Sequence, residues 1–198
     1  MFNRVEIKQR AKAQLGNGIF TNNWLWALLL ALIGGIIISV SGIVVIGPLI
    51  VTGPIMFGLA YLFLKQARDG QQMNIKDLFT GFTGDFGTNV GLGILQAVFI
   101  ALWSLLFYIP GIVKYYSYSM IFFIKADHPE YDWHQCFNES KRITKGHKWD
   151  LFVLDLSFLG WMIVGSLCFG VGTLWVAAYM NAAKAQAYEV IKNAPTEA

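Results

Sequence analysis

KGHKWDLFVLDLSFLGW (Lys145–Trp161) opens with charged residues, Asp150 among them, and then turns almost wholly apolar, yet it carries Asp155 in its middle. A carboxylate there means different things in water and in hydrocarbon, so the composition around it has to be read first. The chain is 56% hydrophobic and 14% charged, whereas soluble globular proteins carry roughly 25% charged residues. The apolar residues also come in blocks. Trp24 to Ile46, Leu49 to Leu64, Asn89 to Val113, Tyr115 to Ile124 and Ser157 to Ala183 hold no charge at all. Blocks near 20 residues match a hydrocarbon core of about 30 Å at the helical rise. The expected fold class is an all-α, polytopic membrane bundle.

Three Gly/Pro interruptions cut blocks too long for a single crossing: Gly47-Pro48, Ile109-Pro110-Gly111 and Gly170-Val171-Gly172. Proline removes a helical hydrogen bond and glycine relaxes the backbone, so each reads as a tight turn at a membrane surface. Six spans follow, near 24–46, 49–66, 88–107, 112–126, 149–168 and 172–191, arranged as three hairpins. The second and fourth are short, which leaves a tilted or re-entrant path open for either. With this division, 14 of the 15 Lys and Arg residues fall on one side and only Lys114 on the other. The positive-inside rule then places both termini in the cytoplasm. The net charge of +3 is thereby a topology signal. A nucleic-acid surface would need clustered bases with readout residues, and none is expected. The first apolar block is longer than a signal-peptide core and is followed by no A-x-A site, so an uncleaved first span is expected. Cys136 and Cys168 fall on opposite sides, which argues against a disulfide between them.

The polar connections share a pattern. "NRVEI" (3–7), "NIKDL" (74–78) and "DWHQC" (132–136) each place Asn or Asp three residues before an acidic residue or Gln. That is the capping-box spacing, in which the first side chain accepts from an orphan backbone N–H and the fourth residue reaches back. Apolar stripes follow at Ile7, Ala11 and Leu15; at Ile75, Leu78, Phe79 and Phe82; and at Trp133, Cys136, Phe137, Ser140 and Ile143. Segments 1–23, 70–87 and 128–148 are therefore expected as cytoplasmic interfacial helices, apolar faces toward the bilayer. Each precedes a hairpin, and the hairpin turns recur roughly every 60 residues, which suggests three units within one domain, 1–198.

Asp155 can now be placed. It lies about two turns, roughly 9 Å, inside the fifth span. Lys184 lies at similar depth in the sixth, its antiparallel neighbour. An unpaired carboxylate in hydrocarbon costs several kcal/mol, so an Asp155–Lys184 contact is expected, with Asn181 as a further donor. A structural clamp is the favoured reading over a proton relay, because no second intramembrane acid continues the path. Lys141, Arg142, Lys145 and Lys148 cluster after the third stripe and are expected to meet anionic lipid headgroups. Lys114 and Tyr115 could hold an anion at the outer face, although snorkelling of Lys114 beside an aromatic belt is the simpler account. The glycines of "GLGIL" (91–95) and "SVSG" (39–42) suit close helix packing. No metal-ligand, phosphate-loop or nucleophile motif is present, so no cofactor, metal or catalytic residue is assigned.

"IPGIVKYYSYSMIFFIKADHPE" (109–130), the pair Ser140-Lys141 and "KGHKWDLFVLDLSFLGW" resemble the bacterial integral-membrane family catalogued as domain of unknown function 975. The N-terminal Lys-rich helix and "DLFTGF" (77–82) extend the likeness over nearly the whole chain. The resemblance implies a multi-pass protein of the bacterial cytoplasmic membrane and supplies no established activity. In general design the chain is also similar to the membrane regions fused to some glycerophosphodiester phosphodiesterases. It holds no separate soluble catalytic domain of that kind, so that activity is not carried over. The function expected is non-enzymatic: a structural, envelope-homeostasis or partner-binding role, with a membrane-protein partner or a second copy as candidates. The alternative is a small transporter or carrier of lipid or anionic substrate, using polar residues of the last hairpin. A dry bundle favours the first, and a polar-lined cavity near Asp155 or Lys114 favours the second.

Overall fold

The computed structural model describes residues 3–16, 22–41, 47–70, 72–106, 108–167 and 171–193, and they are all-α, with no strand among them. The helices are α1 (Arg4–Leu15), α2 (Asn22–Ser41), α3 (Gly47–Asp69), α4 (Ile75–Leu78), α5 (Thr80–Thr83), α6 (Phe86–Leu106), α7 (Tyr108–Ser117), α8 (Ile121–Asp127), α9 (Trp133–Ile143), α10 (Lys148–Leu167) and α11 (Val171–Lys192). Among the described residues, three stretches are long and apolar enough to cross a membrane: Ile50–Asp69, Phe86–Ser104 and Lys148–Ser166.

Helix α3 is the hub. It packs against α2, α6, α8 and α11, and the short α4 and α5 lie across it. Small residues make this possible. A Cβ on Gly93 would stand 2.7 Å from the Gly53 Cα, and a Cβ on Gly58 would stand 1.9 Å from the Leu78 carbonyl oxygen. Any side chain at these positions would push α6 or α4 off α3. Of the two glycines in "GLGIL", Gly93 makes this contact, while a Cβ on Gly91 would meet nothing within 4 Å. Residues 39–42, the second small-residue stretch, lack described side chains.

The polar connections start as their sequence dictates. Asn3 accepts from the backbone N–H groups of Val5 and Glu6, and Asn74 accepts from that of Lys76. Asp132 forms the complete box: its Oδ1 accepts from Gln135 N at 2.7 Å and Gln135 Oε1 accepts from Asp132 N at 2.9 Å. The stripes then behave differently from the interfacial expectation. Ile7, Ala11 and Leu15 are fully buried because α1 packs on α11 and α2. Cys136, Phe137, Ser140 and Ile143 are likewise buried, with Phe137 edge-on to Phe99 and Tyr118. In α1 and α9, then, neighbouring helices cover these residues, while Trp133 at the start of the α9 stripe is exposed. Burial pushes the Cys136 thiol up to about 11, as befits a group cut off from solvent. The middle stripe is broken into two single turns. Leu78 is buried, while Ile75 and Phe79 stay exposed.

The turn positions also shift. Gly47 and Pro48 open α3, and Ile109, Pro110 and Gly111 lie in the first turn of α7, so these residues begin helices rather than separate them. Proline is tolerated in a first turn, where its missing N–H has no intrahelical partner. Gly111 sits against α6, where an added Cβ would stand 2.4 Å from Ser104 Oγ. Gly170 lies outside the described residues, and Gly172 packs against Gly165 where α11 meets α10. The stretch expected as one helix over 112–126 is interrupted at Tyr118–Met120, which divides α7 from α8.

Candidate functional site

Three polar centres interrupt the apolar bundle, and the first contains Asp155. Lys184 Nζ stands 3.6 Å from Asp155 Oδ1, with both side chains about one-fifth exposed. The other carboxylate oxygen accepts a hydrogen bond from the Tyr116 hydroxyl at 3.2 Å. Tyr116 is held for this by edge-on packing on Phe152, one turn before Asp155 on α10. Asn181 does not join the pair; its Nδ2 donates to the Ala177 carbonyl of its own helix at 3.0 Å.

Beside this pair lies a cavity of about 380 Å³. Helix α3 contributes Thr52, Met56, Leu59 and Ala60, and α6 contributes Gly93, Gln96, Ala97 and Ile100. Tyr115, Ser119, Phe122 and Phe123 come from α7, α8 and the break between them, and Asn181 and Lys184 come from α11. Most of this wall is hydrocarbon. Several of its polar groups are occupied by backbone: Gln96 donates to Tyr118 O, Ser119 to Tyr116 O and Thr52 to Pro48 O. Lys184 is the one charged side chain in the lining. Among the described residues it makes no hydrogen bond, only the 3.6 Å ionic contact.

The second centre ties three helices at one end of the bundle. Asp127, ending α8, accepts from Arg68 of α3 and from Tyr188 and Lys192 of α11, and Arg68 reaches Glu189 at 2.6 Å as well. Burial alone would raise the Asp127 carboxyl, but hydrogen bonds from Arg68, Lys192 and Tyr188 outweigh it and hold the group well below the usual carboxylate range. The third centre is Lys125, 2% exposed. Its ammonium donates to Asp85 Oδ2 at 3.1 Å, to Pro129 O at 2.8 Å and to Tyr131 O at 2.8 Å. An ammonium has three donors, and all three are used.

A wider, open depression of about 660 Å³ lies at the α1 end, lined by Arg10, Gln14, Asn23, Gln66, Arg68 and Gln186 among others. There Gln14 donates to Phe63 O and Gln66 Oε1 and accepts from Gln186, knitting α1 to α3 and α11.

The remaining sequence candidates are dispersed. Lys114 lies over the Trp103 ring at 4.6 Å, while Tyr115 lines the cavity, so the two do not form one anion contact. Arg142 pairs with Glu139 at 2.8 Å, Lys141 lies 5.7 Å from the Tyr118 ring centre, Lys145 is exposed and Lys148 half-buried. No cluster of His, Cys, Asp and Glu suited to a metal exists among the described residues.

Sequence reading missed the Asp127 and Lys125 centres. Both charges sit at the end of the apolar block 115–124, beside opposite charges that fall at the same end of other spans. That coincidence is the signal that could have found them.

An all-α bundle with three helices, among the described residues, long and apolar enough to cross a membrane and a charged pair beside a half-open cavity defines the class of protein. Within it, residues 109–195 match the model of a family described as protein of unknown function (DUF975). The match takes in a little under half of the chain, from α7 to α11, and contains Tyr116, Asp127, Asp155 and Lys184. "DLFTGF" and the N-terminal helix lie outside it. No curated protein and no solved structure matched the chain.

Proposed function

We propose that this chain is a non-enzymatic, multi-pass protein of the cytoplasmic membrane that holds a small molecule in the cavity beside Lys184, as a carrier or binding protein. The cavity carries the reading: the bundle leaves a space at the level of Lys184, apolar over most of its wall rather than polar-lined, and one cation faces it. In this reading the six crossings are α2, α3, α6, the α7–α8 pair, α10 and α11, with both termini cytoplasmic. Their outward faces support it. Leu25, Leu29, Leu32 and Ile36 of α2, Val98 and Leu102 of α6, and Leu156, Leu159, Trp161, Ile163 and Val164 of α10 are all exposed. Contiguous apolar surface of this extent is unfavourable in water, at about 25 cal/mol per Å², and neutral in hydrocarbon.

A purely structural or partner-binding role is the second reading. What favours it is the Asp127 centre, which fastens three helices without touching the cavity.

Two measurements test the proposal. Single cysteines at Gly47, Pro110 and Gly170 should react with an impermeant reagent from outside intact cells, and those at Gln71 and Glu139 should not. The reverse pattern would sink the topology. Purified protein should bind single-chain amphiphiles saturably, and Ala97→Phe, which narrows the cavity from an exposed position, should weaken that binding. Absence of saturable binding would leave the structural reading.

A further inference from the structure

We propose that the cavity between α3, α6, α8 and α11 selects a single-chain amphiphile with an anionic head, its chain against the apolar wall and its head on Lys184. This rests on the binding role proposed above and adds the chemical class of the ligand.

The selection follows from what Lys184 lacks. An ammonium carries three donors, and charge-assisted hydrogen bonds to carboxylates close to about 2.7–2.9 Å. The Asp155 oxygen nearest Lys184 stands at 3.6 Å, so charge is balanced while no described protein acceptor stands within hydrogen-bond distance of the ammonium. Asp155 has a second partner in the Tyr116 hydroxyl and does not depend on Lys184 alone. An anionic head on Lys184 would supply the missing acceptor and leave Asp155 with Tyr116.

The rest of the wall sets the remainder of the ligand. Met56, Leu59, Ile100, Phe122 and Phe123 offer only hydrocarbon contact. A soluble anion without a chain would forgo them, and a neutral head such as a hydroxyl would accept from the ammonium without the charge assistance an anion adds. A cationic head would be repelled. The volume, about 380 Å³, lies at the small end of ligand pockets, roughly 300–1,000 Å³, which suits one chain rather than two. Asp155 is a like charge near the proposed head, and this gives the idea a second, independent handle.

The test uses full-length protein in an uncharged amphipathic polymer, freed of single-chain detergent, at pH 8, with labelled palmitate, hexadecyl phosphate, hexadecanol and acetate as probes. Palmitate or hexadecyl phosphate should bind at least about tenfold more tightly than hexadecanol, the size of one charge-assisted hydrogen bond. Whichever anion binds tighter identifies a carboxylate or a phosphate head, and acetate should not bind. Lys184→Gln should weaken palmitate by about the same factor and leave hexadecanol unchanged. Asp155→Asn should tighten palmitate, which keeps the proposal testable even if Lys184→Gln folds poorly. Equal binding of palmitate and hexadecanol, or weaker palmitate binding in Asp155→Asn, would overturn the anionic head while preserving the cavity as a binding site. Failure of every chain-bearing probe to bind would instead remove the binding role itself.

Discussion

Replacing Lys125 with Met isolates the tie that fixes α8 and, through it, the cavity wall. Lys125 is 2% exposed and donates to two carbonyls and one carboxylate. The three acceptors are unequal. Asp85 is 53% exposed, so it returns to water when the ammonium goes, and its share is that of a surface pair, about 0.2–1 kcal/mol. The Pro129 and Tyr131 carbonyls each lose a bond to a charged donor, about 1.5–3 kcal/mol apiece. Methionine fills most of the volume and removes the need to desolvate a cation, which offsets part of that loss. The expected destabilisation is about 2–3 kcal/mol for Lys125→Met and under about 1 kcal/mol for Asp85→Asn. For a chain of this length, about 2–4 °C accompanies each kcal/mol. Thermal unfolding in mild detergent, followed by size-exclusion recovery, should therefore separate the two variants clearly. Equal losses would show that the Asp85 ion pair, not the carbonyl ties, carries the contribution. No loss from Lys125→Met would refute the claim that this ammonium holds the 128–131 turn.

Three more outcomes follow from the packing and charge. Asp127 has a carboxyl depressed in the folded state, so its contribution is fully present above its unfolded value of about 3.9. That contribution disappears as pH falls through the lower folded value. The stability difference between the native chain and Asp127→Asn should thus shrink on acidification below about pH 4; a difference that stays unchanged from pH 5 down to pH 2 would contradict the assignment. Gly58→Ala would set a Cβ 1.9 Å from the Leu78 carbonyl oxygen and should cost about 1–3 kcal/mol or more, whereas Gly91→Ala, with nothing within 4 Å, should be neutral or stabilising by up to about 1 kcal/mol. The two melting temperatures moving together would refute the packing argument. In a double-mutant cycle, Asp155→Asn and Lys184→Met should show a coupling on the order of 1 kcal/mol, as is common for polar pairs in membrane proteins; strictly additive losses would mean that the 3.6 Å contact contributes nothing.

The sequence determined whatever depends on neighbours along the chain. Asn3, Asn74 and Asp132 start helices because each has an acceptor side chain placed to meet the next turn's N–H groups. The spacing of Ile7, Ala11 and Leu15 marked a buried face because helical periodicity is local. Counting depth along two antiparallel helices brought Asp155 and Lys184 to one level, and they stand 3.6 Å apart. What covers a stripe is a different matter. Lipid and a neighbouring helix are equally apolar, so composition could not tell that α1 closes on α11 or that α9 closes on Phe99 and Tyr118. The break at Tyr118–Met120 was also out of reach, since no Gly or Pro marks it. The Asp127 centre joins side chains 59 and 65 residues distant in sequence, and no local pattern relates them. The cavity is the extreme case. It is a space that α3, α6, α8 and α11 fail to fill between them, and a void is a property of packed surfaces, which exist only once the helices have met.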